Sequence, residues 1–191
     1  MDKKKPTICV FCGSSVGRKP EYMQTAHRLG SLIAAQGYSF LFGGGGLGLM
    51  GESARAARDG GAHVLGILPE FLRYVEPPLK SGEELIVTPN MQERKLRMLS
   101  LSDAFITLPG GIGTYDEVME ILGTKQLGVH AKPMVLINTL GYFEPLIASI
   151  DHVVREGFAL ANISELYHVA STPEEAMAFV TEKLAHADQP A

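Results

Sequence analysis

Cysteine is scarce in this chain of 191 residues, with Cys9 and Cys12 alone, and that excludes a small disulfide-stapled scaffold. The two form a single C-x-x-C. Residues i and i+3 of a strand point to opposite faces, so they are expected as separate buried thiols, not a metal or redox pair. Long apolar runs are also missing. Lys3-Lys4-Lys5 ahead of Thr7-Ile8-Cys9-Val10-Phe11 mimics the start of a signal peptide, but Gly13, Ser14 and Ser15 end the stretch, and no run approaches the roughly 18 residues of a membrane helix. A cytoplasmic protein with no membrane partner is expected. Positive charge is not in excess either: 17 basic residues against 21 acidic ones leave a net charge of -4, which argues against a nucleic-acid polymer as partner. No linker or low-complexity block interrupts the chain, and 46% hydrophobic residues suffice for one full core, so residues 1–191 read as one domain.

What is present is a repeated alternation of short runs rich in Val, Ile, Phe or Leu, a glycine or polar turn, then ten to fifteen residues at helical spacing. It predicts strands at 7–12, 38–42, 62–68, 84–88, 104–108, 132–137 and 166–170. Helices are predicted at 20–36, 47–60, 90–102, 114–127, 143–157 and 173–187. Near-continuous apolar strands such as Phe105-Ile106-Thr107-Leu108 suit a sheet covered on both faces. The fold class is therefore α/β, a Rossmann-like, doubly wound parallel sheet of seven strands in one nucleotide-binding domain.

Ligands of such sheets bind beyond the carboxyl ends of the strands. Three loops there are rich in glycine: Gly13-Ser14-Ser15-Val16-Gly17, Gly43 to Gly51, and Pro109-Gly110-Gly111-Ile112-Gly113-Thr114. Glycine lets backbone N–H groups approach an anion at the positive end of a helix, so a phosphorylated ligand is expected, with Ser14, Gly45, Gly110, Gly111, Ile112, Gly113 and Thr114 as candidate contacts. Gly46-x-Gly48-x-x-Gly51 fits the dinucleotide fingerprint, but it follows the second strand, and the one acidic residue near the expected offset, Glu70, lies in a turn. A nicotinamide dehydrogenase is disfavoured for that reason. No Walker lysine follows any of the loops, which disfavours a P-loop NTPase. No Asp/His cluster has metal-ligand spacing, and the scheme calls for neither metal nor cofactor.

Glu117 follows the third loop closely and would place a carboxylate beside the bound anion. Thr114-x-x-Glu117 also matches a capping box, with Thr114 at the N-cap. Thr172-Pro173-Glu174-Glu175 has the same spacing with no glycine loop before it and serves as an internal control. Arg94 and Lys95 open a helix whose neighbouring strand runs into the Pro-Gly-Gly loop. Cations are disfavoured near a helix N-terminus unless an anion compensates, so both are expected to reach the same pocket.

Together these residues resemble the Lonely Guy (LOG) family of nucleoside 5'-monophosphate phosphoribohydrolases, whose motif P-G-G-x-G-T-x-x-E is matched without a gap by Pro109 to Glu117. The family's upstream Arg-Lys pair stands as Arg94-Lys95. Cys12-Gly13-Ser14-Ser15, Gly43-Gly44-Gly45, Gly48-Leu49-Met50-Gly51, Gln126-Leu127-Gly128-x-His130 and Gly141-Tyr142 extend the likeness over residues 7–170. The resemblance implies hydrolysis of an N-glycosidic bond, with Arg94 and Glu117 catalytic, Lys95 and the glycine loops binding substrate, and Glu76 as a further substrate contact. It also implies a homodimer, for which Met98, Leu99, Leu101 and Met119 to Leu122 are candidate contacts. Plant members usually carry tryptophan where Thr124 stands and histidine where Gln92 stands, so the preferred base, adenine or an N6-modified adenine, stays open. A pyridoxal phosphate decarboxylase would need a Schiff-base lysine, for which Lys125 and Lys132 have no suitable setting. The remaining alternative is a nucleotide or cofactor carrier of the same fold without catalysis.

Overall fold

The computed structural model describes residues 5–75, 77–79 and 82–187. Strands β1 (Thr7–Phe11), β2 (Ser39–Phe42), β3 (Val64–Pro69), β4 (Glu84–Thr88), β5 (Ala104–Thr107), β6 (Met134–Ile137) and β7 (His168–Ala170) alternate with helices. The helices are α1 (Pro20–Ala35), α2 (Gly48–Asp59), α3 (Met91–Leu101), α4 (Ile112–Gln126), α5 (Glu144–Arg155) and α6 (Pro173–Ala187). Each expected element is present, with bounds moved by at most two residues. The strands form one seven-stranded sheet in the order β4-β3-β2-β1-β5-β6-β7, and every pairing is parallel.

Parallel strands need crossover helices, and these cover both faces. Ile8, Val10 and Cys12 pack with apolar residues of α1, α2 and α6. Cys9 and Phe11 pack with those of α3, α4 and α5 on the other face. The two cysteines are thus buried, not joined in a disulfide and on opposite sides of the sheet, as strand alternation requires. Burial drives the Cys9 thiol far above the ordinary range, so it stays protonated. Two helix starts are fixed by side chains. Asn90 Oδ1 accepts from Glu93 N at 2.9 Å to open α3, and Thr172 Oγ1 accepts from Glu175 N at 3.2 Å to open α6.

Helix α4 differs from expectation. It begins at Ile112 with Gly111 as N-cap and no side-chain cap, so Thr114 lies inside the first turn and Thr114–Glu117 is not a capping box. The physical reason is the glycine pair. Gly111 at φ -88°, ψ -160° turns the chain into the helix two residues early, and α4 buries Thr114, Glu117, Val118, Ile121 and Leu122 as one inward stripe.

Candidate active site

Strand order reverses between β1 and β5, and the loops leaving these two neighbours diverge there, at the switch point where doubly wound sheets bind ligands. The loop after β1 is tied to the loop after β5 by Gly13 N donating to Pro109 O at 3.0 Å. Between them opens a cavity of about 320 Å³. Its two ends differ in chemistry.

One end is the start of α4, lined by Gly111, Ile112, Gly113 and Thr114. The N–H groups of a helix's first turn have no intrahelical acceptor, and this turn has neither a side-chain cap nor an acidic residue. A Cβ at Gly111 or Gly113 would meet open space, whereas one at Gly110 would strike the Thr114 hydroxyl and the backbone of Gly13. Gly110 is therefore needed for packing, and Gly111 and Gly113 leave room above the amides. This end suits a phosphate.

The other end carries a buried ion pair. Arg94 Nη2 lies 2.8 Å from Glu117 Oε1, with both residues 7% exposed. Each occupies an inward position on its helix, beside Met98 on α3 and Val118 on α4, where an apolar side chain would ordinarily stand. Arg94 Nε also donates to Ile67 O at 3.2 Å, which fixes the guanidinium plane from below and aims it at the carboxylate. Gly43 completes the arrangement, because any Cβ there would collide with the Arg94 guanidinium. Breaking such a pair leaves a charge uncompensated in a low-dielectric site, so its members depend on each other. Met50, Leu72 and Met91 supply apolar wall around it.

Of the residues expected in the site, Ser14, Arg94, Gly111, Ile112, Gly113, Thr114 and Glu117 line this cavity. Lys95 does not. Its Nζ is held at 2.8 Å from Asp116 and 2.6 Å from Glu120, because residue 95 turns one helical step away from 94 and meets the outer face of α4. Gly45 also misses the cavity. Gly44 at φ +83° bends the chain away after Gly43, and Gly45 bridges to Pro78. Glu76 lies outside the described residues. Gly13, Gly43, Met50, Leu72 and Met91 were not among the expected site residues; Gly13, Gly43 and Met50 stood inside quoted motifs, and Leu72 and Met91 carried no local signal. In the dinucleotide-like run, Gly48 packs against the Ser14–Ser15 backbone and Gly51 against Gly46, so those glycines serve packing. Lys125 donates to Lys132 O at 2.9 Å at the start of β6, the opposite end of the strands. No lysine among the described residues lines the cavity.

The fold and site define a Rossmann-like protein in which the uncapped start of α4 and a buried acidic residue line one cavity. The family model described as "Possible lysine decarboxylase" matches residues 50–180. Cytokinin riboside 5'-monophosphate phosphoribohydrolase LOG3 of Arabidopsis thaliana is 42% identical over 168 residues, 88% of this chain and 78% of its own. The Oryza sativa subsp. japonica protein named cytokinin riboside 5'-monophosphate phosphoribohydrolase LOG is 40% identical over the same share of this chain and 69% of its own. Among solved structures, the Moco carrier protein from Chlamydomonas reinhardtii superposes with a TM-score of 0.73 at 28% identity, over 96% of this chain and 99% of that one. The chain belongs to the Lonely Guy (LOG) family.

Proposed function

We propose that this protein hydrolyses the N-glycosidic bond of a purine nucleoside 5'-monophosphate, AMP or an N6-modified relative of the cytokinin type, to free base and ribose 5-phosphate. One observation carries the proposal: the buried Arg94–Glu117 pair stands in the same cavity as the uncapped start of α4. Cleavage of the bond from C1' to the base builds positive charge on the ribose, which a nearby carboxylate stabilises electrostatically or traps covalently. Glu117 takes that role. Arg94 orients Glu117 and holds substrate oxygens; a guanidinium does not release its proton, so Arg94 is not the acid that protonates the leaving base. The amides of Gly111 to Thr114 hold the 5'-phosphate. That anchor is remote from the bond broken, yet it fixes C1' against Glu117 and so contributes to the rate. The enzyme acts in the cytoplasm as a homodimer.

Fold likeness to the Moco carrier protein favours a second reading, in which the cradle carries a phosphorylated cofactor without chemistry. A carrier does not require a buried Arg–Glu pair beside its ligand. Incubation with AMP and chromatography of the products separate the two: free adenine and ribose 5-phosphate support hydrolysis, no turnover supports the carrier, and adenosine with phosphate indicates a phosphatase. Adenosine lacks at least two hydrogen bonds that the amides donate to charged oxygens, so its kcat/KM is expected to be on the order of 100-fold or more below that of AMP.

A further inference from the structure

The loop that faces the phosphate end of the cavity contains three successive carbonyls, at Pro109, Gly110 and Gly111. Each of them would repel an anion if it turned inward. Pro109 O is held by Gly13 N at 3.0 Å, and Gly111 O by Tyr115 N at 3.1 Å. Both are backbone contacts of the fold. The middle carbonyl, Gly110 O, is held by a side chain: the hydroxyl of Tyr142 donates to it. Tyr142 lies across the sheet in the turn after β6, 32 residues away in sequence, and lines a second cavity behind the loop together with Tyr22, Gly110 and Gly111.

We infer that Tyr142 is a positioning residue for the anion site, locking the Gly110–Gly111 peptide with its carbonyl outward and its N–H toward the phosphate. In a trans peptide the C=O and N–H point in opposite directions, so a bond that pins the Gly110 carbonyl on the Tyr142 side sends the Gly111 N–H the other way. The lock is needed because both flanking residues are glycine, and a Cβ at Gly111 would meet nothing within 4 Å. With no side chain at either residue to restrict φ and ψ about that peptide, a rotated peptide would set a carbonyl where the anion binds. The inference rests on the phosphate-binding part of the proposed function.

The turn carrying Tyr142 is itself built to one geometry. Asn138 Oδ1 accepts from Phe143 N at 2.7 Å, and Asn138 Nδ2 donates to Glu144 at 2.6 Å. Leu140 holds φ +54°, a conformation that costs a non-glycine residue about 1 kcal/mol or more, in a turn whose only exposed large apolar side chain is its own. The Tyr142 ring meets Tyr22 and Phe143 edge-on, with centroids at 5.8 and 5.1 Å. Burial and the neighbouring Tyr142 hydroxyl raise the pKa of the Tyr115 hydroxyl, two residues before Glu117.

The test compares Tyr142→Phe, which keeps the ring and removes the hydroxyl, with the unaltered protein. Ribose 5-phosphate is titrated calorimetrically, and kcat/KM is measured for AMP and for adenosine. The expected result is about tenfold weaker binding of ribose 5-phosphate and an AMP-over-adenosine preference reduced by a similar factor, because one charge-assisted contact is lost. A merely structural role would lower both substrates together and leave the preference intact. Tyr115→Phe, which removes the hydroxyl neighbouring that of Tyr142, is expected to weaken ribose 5-phosphate binding in the same direction by about threefold, and it carries the test should Tyr142→Phe fail to fold. If the unaltered protein hydrolyses AMP but Tyr142→Phe retains its ribose 5-phosphate affinity and its preference, the positioning role is overturned while the hydrolase stands. If the unaltered protein binds ribose 5-phosphate without hydrolysing AMP and Tyr142→Phe weakens that binding, the hydrolase fails and the positioning role stands. A protein that neither binds ribose 5-phosphate nor hydrolyses AMP overturns both.

Discussion

Glu117 stands at a position of α4 that packs inward with Val118 and Ile121, and its charge is matched by one guanidinium that is equally buried. A substitution there acts on chemistry and on packing at once. Glu117→Gln keeps the shape and a hydrogen-bond acceptor but leaves Arg94 buried without its counter-charge. Turnover of AMP is expected to fall by about 100-fold or more, and stability by about 3 kcal/mol, measured by denaturant unfolding. Glu175→Gln is the matched control. That residue caps α6, its carboxylate accepting from Ser171 N at 2.7 Å, and turnover should be unchanged. Wild-type turnover in Glu117→Gln would end its catalytic assignment. A second carboxylate, Glu83, behaves in the opposite way: burial raises its pKa to about 7, opposed by a backbone hydrogen bond from Leu79 and by Arg58, and its Oε2 has no hydrogen-bond partner among the described residues. A group that binds its proton more tightly when folded stabilises the fold below its ordinary value of 4.5, and that stabilisation is lost as pH rises through about 7. Glu83→Gln is therefore expected to melt higher than wild type at about pH 8 and at nearly the same temperature at about pH 4.5, as thermal scans at the two pH values will check.

At the scale of elements, the alternation of apolar runs and helical spacing was enough to place all seven strands: the central ones, buried on both faces, leave a compact apolar signature, and the partly exposed edge strands β4 and β7 follow from the same alternation. Helix starts were legible where a side chain makes them, as at Asn90 and Thr172, and misplaced at α4, where glycine backbone geometry makes the start and leaves no side-chain signal. The same contrast runs through the site. Glu117 and Arg94 were legible because a carboxylate follows the glycine loop and a cation stands at a helix N-terminus, where it calls for an anion. Leu72 and Met91 were not, since an apolar residue facing a cavity looks like one facing a core. Lys95 shared its neighbour's charge but not its direction, a difference of one helical step that spacing alone did not weigh. Gly43 shows how a backbone element serves a side chain on another: it lies at the end of β2 and makes room for the guanidinium from α3. Gly43→Ala has no positive-φ conflict, so its Cβ acts first on the Arg94 guanidinium, with Met50 Sδ the next atom it meets. It is expected to lower kcat for AMP by about tenfold, with a smaller change in stability than Glu117→Gln, as steady-state kinetics and denaturant unfolding will show.

For the whole molecule, the order β4-β3-β2-β1-β5-β6-β7 sets the site at the middle of the sheet, and helices α3 and α4 flank it on one face. Of the apolar residues expected to pair two subunits, Met98, Ile121 and Leu122 are spent inside this chain's core, at 1%, 4% and 2% exposure. They cover the sheet. Outside it remain Leu96 on α3 and Ile112 and Met119 on α4, all exposed, with Ile112 and Met119 seven residues apart and so on one side of their helix. The Lys95–Asp116–Glu120 cluster ties the two helices together between these residues, which makes the outer face of α3 and α4 a rigid surface with apolar ends. A twofold axis through that surface would bring the same residues of both copies together and set the two cavities near the contact. Leu96→Glu or Met119→Glu would place like charges across such an axis at no cost to the core, since neither side chain is buried. Light scattering is expected to give the mass of two chains for the wild type and of one for either variant, with melting of the isolated chain little changed. A wild-type protein that scatters as a stable, active monomer would exclude this assembly.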